Sequence, residues 1–283
     1  MTNDRTDEKI RSALRCPLCG AEMQTAGGSL VCGGARRHCF DFSAEGYLNL
    51  APPQQSGGGD AKEAVRARTG FLETGYYLPA AQTVLSLLER YVPAGGLVID
   101  AGCGEGWYSA RFSGAGFRTE GFDLSKPAVR TAAKRVRRTG CESRALYAVS
   151  SVFALPLTDG CADAVVNIFA PCAEEEYARV LKPGGVLIVT YAGPEHLMGL
   201  KKQIYSSVHE NAERADLPVK LEKIGEERTS FEITVEGQEA IQALFAMTPY
   251  YWRTSPQDSE KLRGLDRLTT GVDMISAVYR KGE

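Results

Sequence analysis

No run of apolar residues in this 283-residue chain approaches the roughly 20 that a membrane-spanning helix requires. The opening residues, MTNDRTDEKIR, likewise lack the apolar core of a secretory signal. Both absences point to a cytoplasmic protein with no membrane contact. Neither sign of charge is in excess: 33 Lys and Arg stand against 35 Asp and Glu, for a net charge of −2. A global basic field is thus excluded, and any contact with nucleic acid must come from a local patch. No internal repeat divides the chain. What remains is an ordinary globular composition, 43% apolar and 24% charged, long enough for about two domains with a proper core.

Cysteine is the first residue type used unevenly. Of eight, four fall between Cys16 and Cys39. In a reducing compartment such clustering reads as metal binding rather than as a disulfide framework or a set of unconnected thiols. Cys16 and Cys19 form a C-x-x-C knuckle, and Cys32, His38 and Cys39 supply a second, irregular half. That is the spacing of a zinc ribbon, with an inserted turn at Gly33-Gly34-Ala35. Cys16, Cys19 and Cys32 are candidate ligands; the fourth is His38 or Cys39, since adjacent side chains do not easily face one ion. In so small a module the metal itself supplies much of the folding energy.

The second uneven stretch is residues 97–108, LVIDAGCGEGWY. A short apolar strand ends in Asp100, and Gly102, Gly104 and Gly106 then alternate before a helix begins. A glycine turn between strand and helix lets the backbone and the helix N-terminus approach a ligand. A dinucleotide site would space its glycines G-x-G-x-x-G. Here the spacing is G-x-G-x-G, and the carboxylates of Asp100 and Glu105 would repel a pyrophosphate. They suit a ligand with an ammonium and a sulfonium, S-adenosylmethionine. About twenty residues on, Asp123 ends a second strand, placed to accept hydrogen bonds from ribose hydroxyls.

Strands and helices alternate from there. Strands are expected over 119–123, 144–150, 161–169 and 186–191, and helices over 106–115, 126–139 and 173–181, stopped by LKPGG. That order implies parallel βαβ units in a doubly wound, mostly parallel α/β sheet of the class I methyltransferase kind. Beyond Gly193, helices over 195–210, 237–246 and 257–264 and strands over 231–236 and 273–280 suit an antiparallel edge. Asp60 is expected to cap a helix over 61–73. The proline- and glycine-rich segment 51–60 marks a boundary, giving a zinc module over 1–50, a linker and helix over 51–80, and a methyltransferase domain over 81–283. Residues 40–50 read as a strand or extended arm leaving the ribbon.

Together the ribbon, EGYLNL at 45–50, TGYY at 74–77, VIDAGCGEGWY, FDLSKPAV, IFAPC at 168–172, LKPGG, GPEHLMGLK at 193–201 and MTPYYWR at 247–253 resemble the RlmA-type 23S rRNA guanine-N1 methyltransferases. The likeness spans almost the whole chain. It implies transfer of a methyl group from S-adenosylmethionine to N1 of a guanine in an rRNA hairpin loop, with the zinc module helping to read the RNA. By position it also implies zinc ligands Cys16, Cys19, Cys32 and His38, and cofactor contacts from Tyr77, Gly104, Glu105 and His196. The long Cys32–His38 gap departs from the family pattern and keeps Cys39 open as a substitute.

Further candidates follow from residue type. For RNA, Arg36 and Arg37 lie on the zinc loop, while Arg130, Lys134, Arg135, Arg137 and Arg138 form an acid-free run expected to face outward on helix 126–139. A solvated helix face explains such a run equally well. Tyr250, Tyr251 and Trp252 are available to stack on a flipped base or to fill a core. Tyr77 has a plain packing reading, and His196 one as a first-turn residue of a surface helix. No side chain announces itself as the base that takes the guanine N1 proton. Asn167 and the backbone after Ala170 are candidates to hold a base edge, and Glu174–Glu176 accept a proton only if their loop folds inward. Cys172 raises the alternative of a cysteine nucleophile acting on a pyrimidine. A small-molecule methyltransferase and a non-catalytic, cofactor-binding rRNA-docking protein are the other readings. Pairing of two copies through their zinc modules would suit the grasp of a hairpin.

Overall fold

The computed structural model describes residues 13–52, 58–212, 214 and 217–283. The polar start of the chain and positions 53–57 of the expected linker lie outside the described residues. Three short strands, β1 (Met23–Ala26), β2 (Ser29–Cys32) and β3 (Cys39–Asp41), make a small antiparallel sheet that carries the cysteines. The main sheet has eight strands. In chain order these are β4 (Leu48–Asn49), β5 (Leu97–Ala101), β6 (Arg118–Asp123), β7 (Ala145–Val149), β8 (Ala162–Ile168), β9 (Leu181–Ala192), β10 (Glu222–Glu236) and β11 (Arg267–Arg280). Their spatial order is β10-β11-β9-β8-β5-β6-β7-β4. From β9 to β4 the pairings are parallel, while β11 runs antiparallel to both β9 and β10.

The helices are α1 (Lys62–Glu73), α2 (Leu78–Tyr91), α3 (Trp107–Gly114), α4 (Lys126–Arg138), α5 (Glu174–Val180), α6 (Met198–Ile204), α7 (Gln238–Ala246) and α8 (Pro256–Glu260). β5 is buried at all five residues, as a central parallel strand covered on both faces must be. Alternation divides its side chains: Val98 joins Val84, Leu88 and Phe112 on one face, and Leu97 and Ile99 join Tyr177 and Val180 on the other. Strand order reverses at β5, with β6 on one side and β8 on the other. The crevice beyond their carboxyl ends is where open α/β sheets bind ligands.

The ribbon is not a detached appendage. Leu14 and Leu30 share one buried cluster with Leu155, Leu157 and the sheet face around Ile99. The Arg15 amide donates to the Pro156 carbonyl at 2.8 Å, and β4 pairs parallel with β7 as the last strand of the main sheet. The arm read at 40–50 therefore ends by extending that sheet.

Several expected boundaries move. The helix expected over 195–210 shrinks to Met198–Ile204, because Asn211 folds back and its amide donates to the carbonyls of Gly193, Pro194 and His196. The strand expected over 231–236 is the end of a fifteen-residue β10 that pairs with β11. Asp60 does not cap α1: Ala61 is the N-cap with no side-chain bond, and the Asp60 carboxylate holds Arg68 instead. Helix α4 does not present all its bases outward. Arg135 is buried, donating to the Glu105 carbonyl at 3.1 Å and pairing with Glu73.

Candidate active site and metal centre

The glycine turn closes over a void. Gly102 has φ of 86°, and a Cβ there would lie 2.4 Å from that of Ala170, so only glycine fits between the β5 and β8 loops. Around this turn the sequence brings together Asp100, Glu105 and Asp123, and the fold adds Asp60 and Arg68. All five line a cavity of about 800 Å³, which also reaches Tyr77, His196, Phe153, Phe169 and Tyr250.

The carboxylates are in unequal states. Asp100 is buried beneath the turn and accepts a hydrogen bond from Ser109. Burial pushes its pKa up to about 7; Ser109 opposes the rise, and the neighbouring charges of Asp123 and Glu105 add to it. Asp123 accepts from the amides of Gly104 at 3.0 Å and Ser125 at 2.7 Å, which partly offset the raising effect of its own burial. Two of its acceptor sites are thus used to shape the loop. Arg68 bridges Glu105 at 2.6 Å and Asp60 at 2.5 Å. Burial works against its charge, but Glu105 and Asp60 override that and hold the guanidinium well above its ordinary value.

His196, read from sequence as a surface helix residue in its plain alternative, is instead buried. The Asp273 amide donates to Nδ1 at 3.2 Å, which assigns the ring proton to Nε2, 3.5 Å from the Tyr77 hydroxyl. Desolvation lowers its pKa to about 4, despite the opposing pull of Asp273, so the ring is neutral at physiological pH. It is a hydrogen-bond donor on the cavity wall and a poor base.

Other sequence candidates are placed differently from expectation. Asn167 is fully buried under the loop, and its amide donates to the Pro171 carbonyl at 2.9 Å and the Tyr177 hydroxyl at 3.0 Å. It braces the loop rather than offering its amide to a base edge. Cys172 does not line the cavity and packs against the core around Tyr177, so the nucleophile alternative has no geometry behind it. Glu174 accepts from the amides of Lys220 and Leu221, Glu175 pairs with the Lys220 ammonium, and Glu176 holds Arg179. Those three acids are engaged away from the cavity.

At the ribbon, Cys16, Cys19, Cys32 and His38 have ligand atoms all within 4.8 Å of one another. Sγ of Cys19 and Cys32 are 3.7 Å apart, and His38 Nδ1 lies 3.4 Å from Cys16 Sγ and 3.5 Å from Cys32 Sγ. A tetrahedral zinc with ordinary bond lengths would set about 3.8 Å between two sulfurs and about 3.6 Å between sulfur and nitrogen. The donor set fits zinc. Cys39 points elsewhere, its thiol 3.8 Å from Asp41 Oδ1, which decides the adjacent pair in favour of His38.

Arg36 and Arg37 are exposed on the ribbon loop. Of the basic helix, Arg130 pairs with Glu45 at 2.6 Å and Arg137 donates to the Ala44 carbonyl at 2.8 Å, so both help dock the ribbon's arm; Lys134 is exposed. Tyr250 is bonded to Asn211 at 2.8 Å, whereas Trp252 is 75% exposed. Sequence reasoning missed Arg68, Ser109 and Phe169. Arg68 lies eight residues past Asp60 and thirty-seven before Glu105, and nothing in its local pattern signals that it joins them.

A doubly wound sheet with an acid-flanked glycine turn at its switch point defines a class I methyltransferase. Comparison with known proteins agrees: residues 98–185 match the methyltransferase domain family, and residues 14–57 match the family described as RlmA, N-terminal. A solved structure from work on converting a disulfide bond into a thioacetal group during echinomycin biosynthesis shares the fold, with a TM-score of 0.50, 15% identity, and coverage of 70% of this chain and 82% of that one. The 23S rRNA (guanine(748)-N(1))-methyltransferase of Streptomyces fradiae is 32% identical over 92% of this chain and 94% of its own length. A Micromonospora griseorubida protein, provisionally named a 23S rRNA (guanine-N(1)-)-methyltransferase, is 31% identical over 93% and 92%. The chain belongs to the 23S rRNA guanine-N1 methyltransferase family. Its cofactors are S-adenosylmethionine and zinc, consistent with the carboxylates gathered around the glycine turn and with the Cys3His donor set.

Proposed function

We propose that this protein methylates N1 of a guanine in a hairpin loop of 23S rRNA, in the cytoplasm. The observation that carries this reading is the likeness to the Streptomyces fradiae enzyme across nearly the full length of both chains, ribbon included. S-adenosylmethionine supplies an electrophilic methyl group on a sulfonium. The acids around the turn suit its positive groups, with Asp100 and Glu105 near the ammonium end and Asp123 toward the ribose. Arg68 is the cation within that acidic ring and suits the carboxylate of the methionine portion. Tyr77 and His196 line the same cavity.

Guanine N1 carries a proton, and its lone pair becomes nucleophilic only as that proton leaves and charge builds on O6. A neutral His196 holding its proton on Nε2 suits the role of donor to a developing oxyanion. Among the described residues none is assigned as a dedicated base, so the N1 proton leaves to solvent as the methyl group transfers, and in-line positioning carries much of the rate. The zinc-bound ribbon, through Arg36 and Arg37, is proposed to contact phosphates and orient the hairpin, and Lys134, Arg130 and Arg137 extend that surface. Two copies paired through their ribbons would grip the two sides of one stem.

The test combines the zinc-loaded protein, tritiated S-adenosylmethionine and 23S rRNA lacking the modification. Label recovered on N1-methylguanine is expected. Label on a pyrimidine, on a metabolite, or nowhere overturns the reading.

A further inference from the structure

Phe169 combines two unfavourable features at one position. It is one of three described non-glycine residues in the left-handed backbone region, with φ of 53°, which a bulky side chain rarely adopts. The residue is also 48% exposed while lining the cavity. A residue kept in both conditions is held there by its surroundings, and such outliers concentrate where a side chain must be presented.

The surroundings are specific. The Phe169 amide donates to the Thr190 carbonyl at 3.0 Å. Ala170 seats against Gly102 of the glycine turn, and its carbonyl accepts from Arg214 at 2.8 Å. The Pro171 carbonyl accepts from both Asn167 at 2.9 Å and Tyr177 at 3.1 Å. The loop is thereby held against the glycine turn by contacts to Thr190, Gly102, Arg214, Asn167 and Tyr177. The ring meets His196, with centroids 5.6 Å apart and planes inclined by 37°, while the residue as a whole stays about half exposed on the cavity lining.

We infer that Phe169 is the platform on which the target guanine stacks, its left-handed backbone aiming the ring so that the base's N1 edge faces the cavity. This deepens the guanine-N1 reading and rests on it. A purine offers a flat π-face large enough to cover the ring, and stacking of a base on an aromatic side chain does not depend on its hydrogen-bonding edge. That edge is left for His196 and the loop backbone. Asn167 and Tyr177 act through the loop as positioning residues.

The test compares full-length, zinc-loaded wild type with Phe169→Ala, Phe169→Gly, Phe169→Tyr and Phe169→Trp. Two readouts are followed: kcat/KM for unmodified rRNA, and affinity for S-adenosylhomocysteine by calorimetry. Loss of stacking lowers kcat/KM roughly 10- to 100-fold in the alanine and glycine variants. Tyrosine and tryptophan keep it within a few-fold, and homocysteine-product affinity stays within about twofold in all four. Phe169→Gly melts no lower than Phe169→Ala, since glycine accepts the left-handed backbone. Wild-type rRNA methylation with an alanine variant of near-normal kcat/KM would overturn the platform role alone. So would parallel loss of product affinity, which marks a structural residue. Absence of N1-methylguanine with the wild type overturns the parent reading, and the platform with it.

Discussion

If Asp100 faces the cationic end of the cofactor as proposed, affinity should fall as the pH is lowered through its raised pKa. In the free protein, burial and the nearby charges of Asp123 and Glu105 place its pKa at about 7. A cationic ligand favours the ionised carboxylate, so binding pulls the pKa down and releases a proton. The fraction already ionised falls from about nine-tenths at pH 8 to about one-tenth at pH 6, and the affinity falls with it by roughly tenfold, about 1.4 kcal/mol. Near pH 7 about half a proton leaves per ligand bound. His196, at about 4, stays neutral across this window and does not contribute. The assay is calorimetry of S-adenosylhomocysteine, whose amino group carries the charge, at pH 6, 7 and 8 in buffers of different ionisation enthalpy. Asp100→Asn should bind more weakly at pH 8 and lose the pH dependence. Ser109→Ala removes the bond that opposes the shift, and should move the break to higher pH. A dissociation constant constant within twofold from pH 6 to 8, with no buffer-dependent heat, would refute the electrostatic account of this pocket.

Arg68→Gln should erase the preference of wild type for S-adenosylhomocysteine over its decarboxylated analogue, a difference of about ten- to a hundredfold expected for a charge-assisted pair; an undiminished preference places the carboxylate elsewhere. The same variant should melt lower, because Glu105 is left buried without its cation. Zinc content should separate the adjacent ribbon residues: Cys39→Ser is expected to hold one equivalent and His38→Ala much less, with the reverse result assigning the fourth ligand to Cys39. Chelation should also expose the ribbon to protease, since Leu14 and Leu30 join the main core only while the module is folded. Glu120 is fully buried, and neither carboxylate oxygen has a hydrogen-bond partner among the described residues. Burial raises its pKa far above the usual range, so the folded state keeps the proton that the unfolded chain loses as pH rises past about 4.5. Glu120→Gln should therefore raise the melting temperature at pH 8 and much less at pH 5; equal effects at both would show that Glu120 is ionised in the fold.

Much of this protein was legible before any coordinates. The alternation of strand and helix from residue 97 to 191, and the change of pattern after Gly193, correspond to the parallel core and the antiparallel β10-β11 edge. They were readable because strands buried on both faces are forced to be largely apolar, as β5 is at every residue but Asp100. The strand-ending acids and the C-x-x-C knuckle were readable because turns and metal ligands tolerate few residue types at fixed short spacings. The boundaries after residue 195 were less so. There the chain's course depends on Asn211 bonding carbonyls fifteen to eighteen residues earlier, a contact no local pattern encodes.

Residue type at short range suffices for the fold class, the acid-flanked turn and the three ribbon cysteines. Contacts distant in the chain chose His38 over Cys39, turned Asn167 from a base-edge candidate into a brace, buried Arg135, and set Arg68 among the acids. The tertiary structure alone exposed the backbone conformation of Phe169. In each case the deciding contact joins side chains or backbone from separate elements, and whether a polar group faces a ligand, a neighbour or water is fixed by which elements meet there.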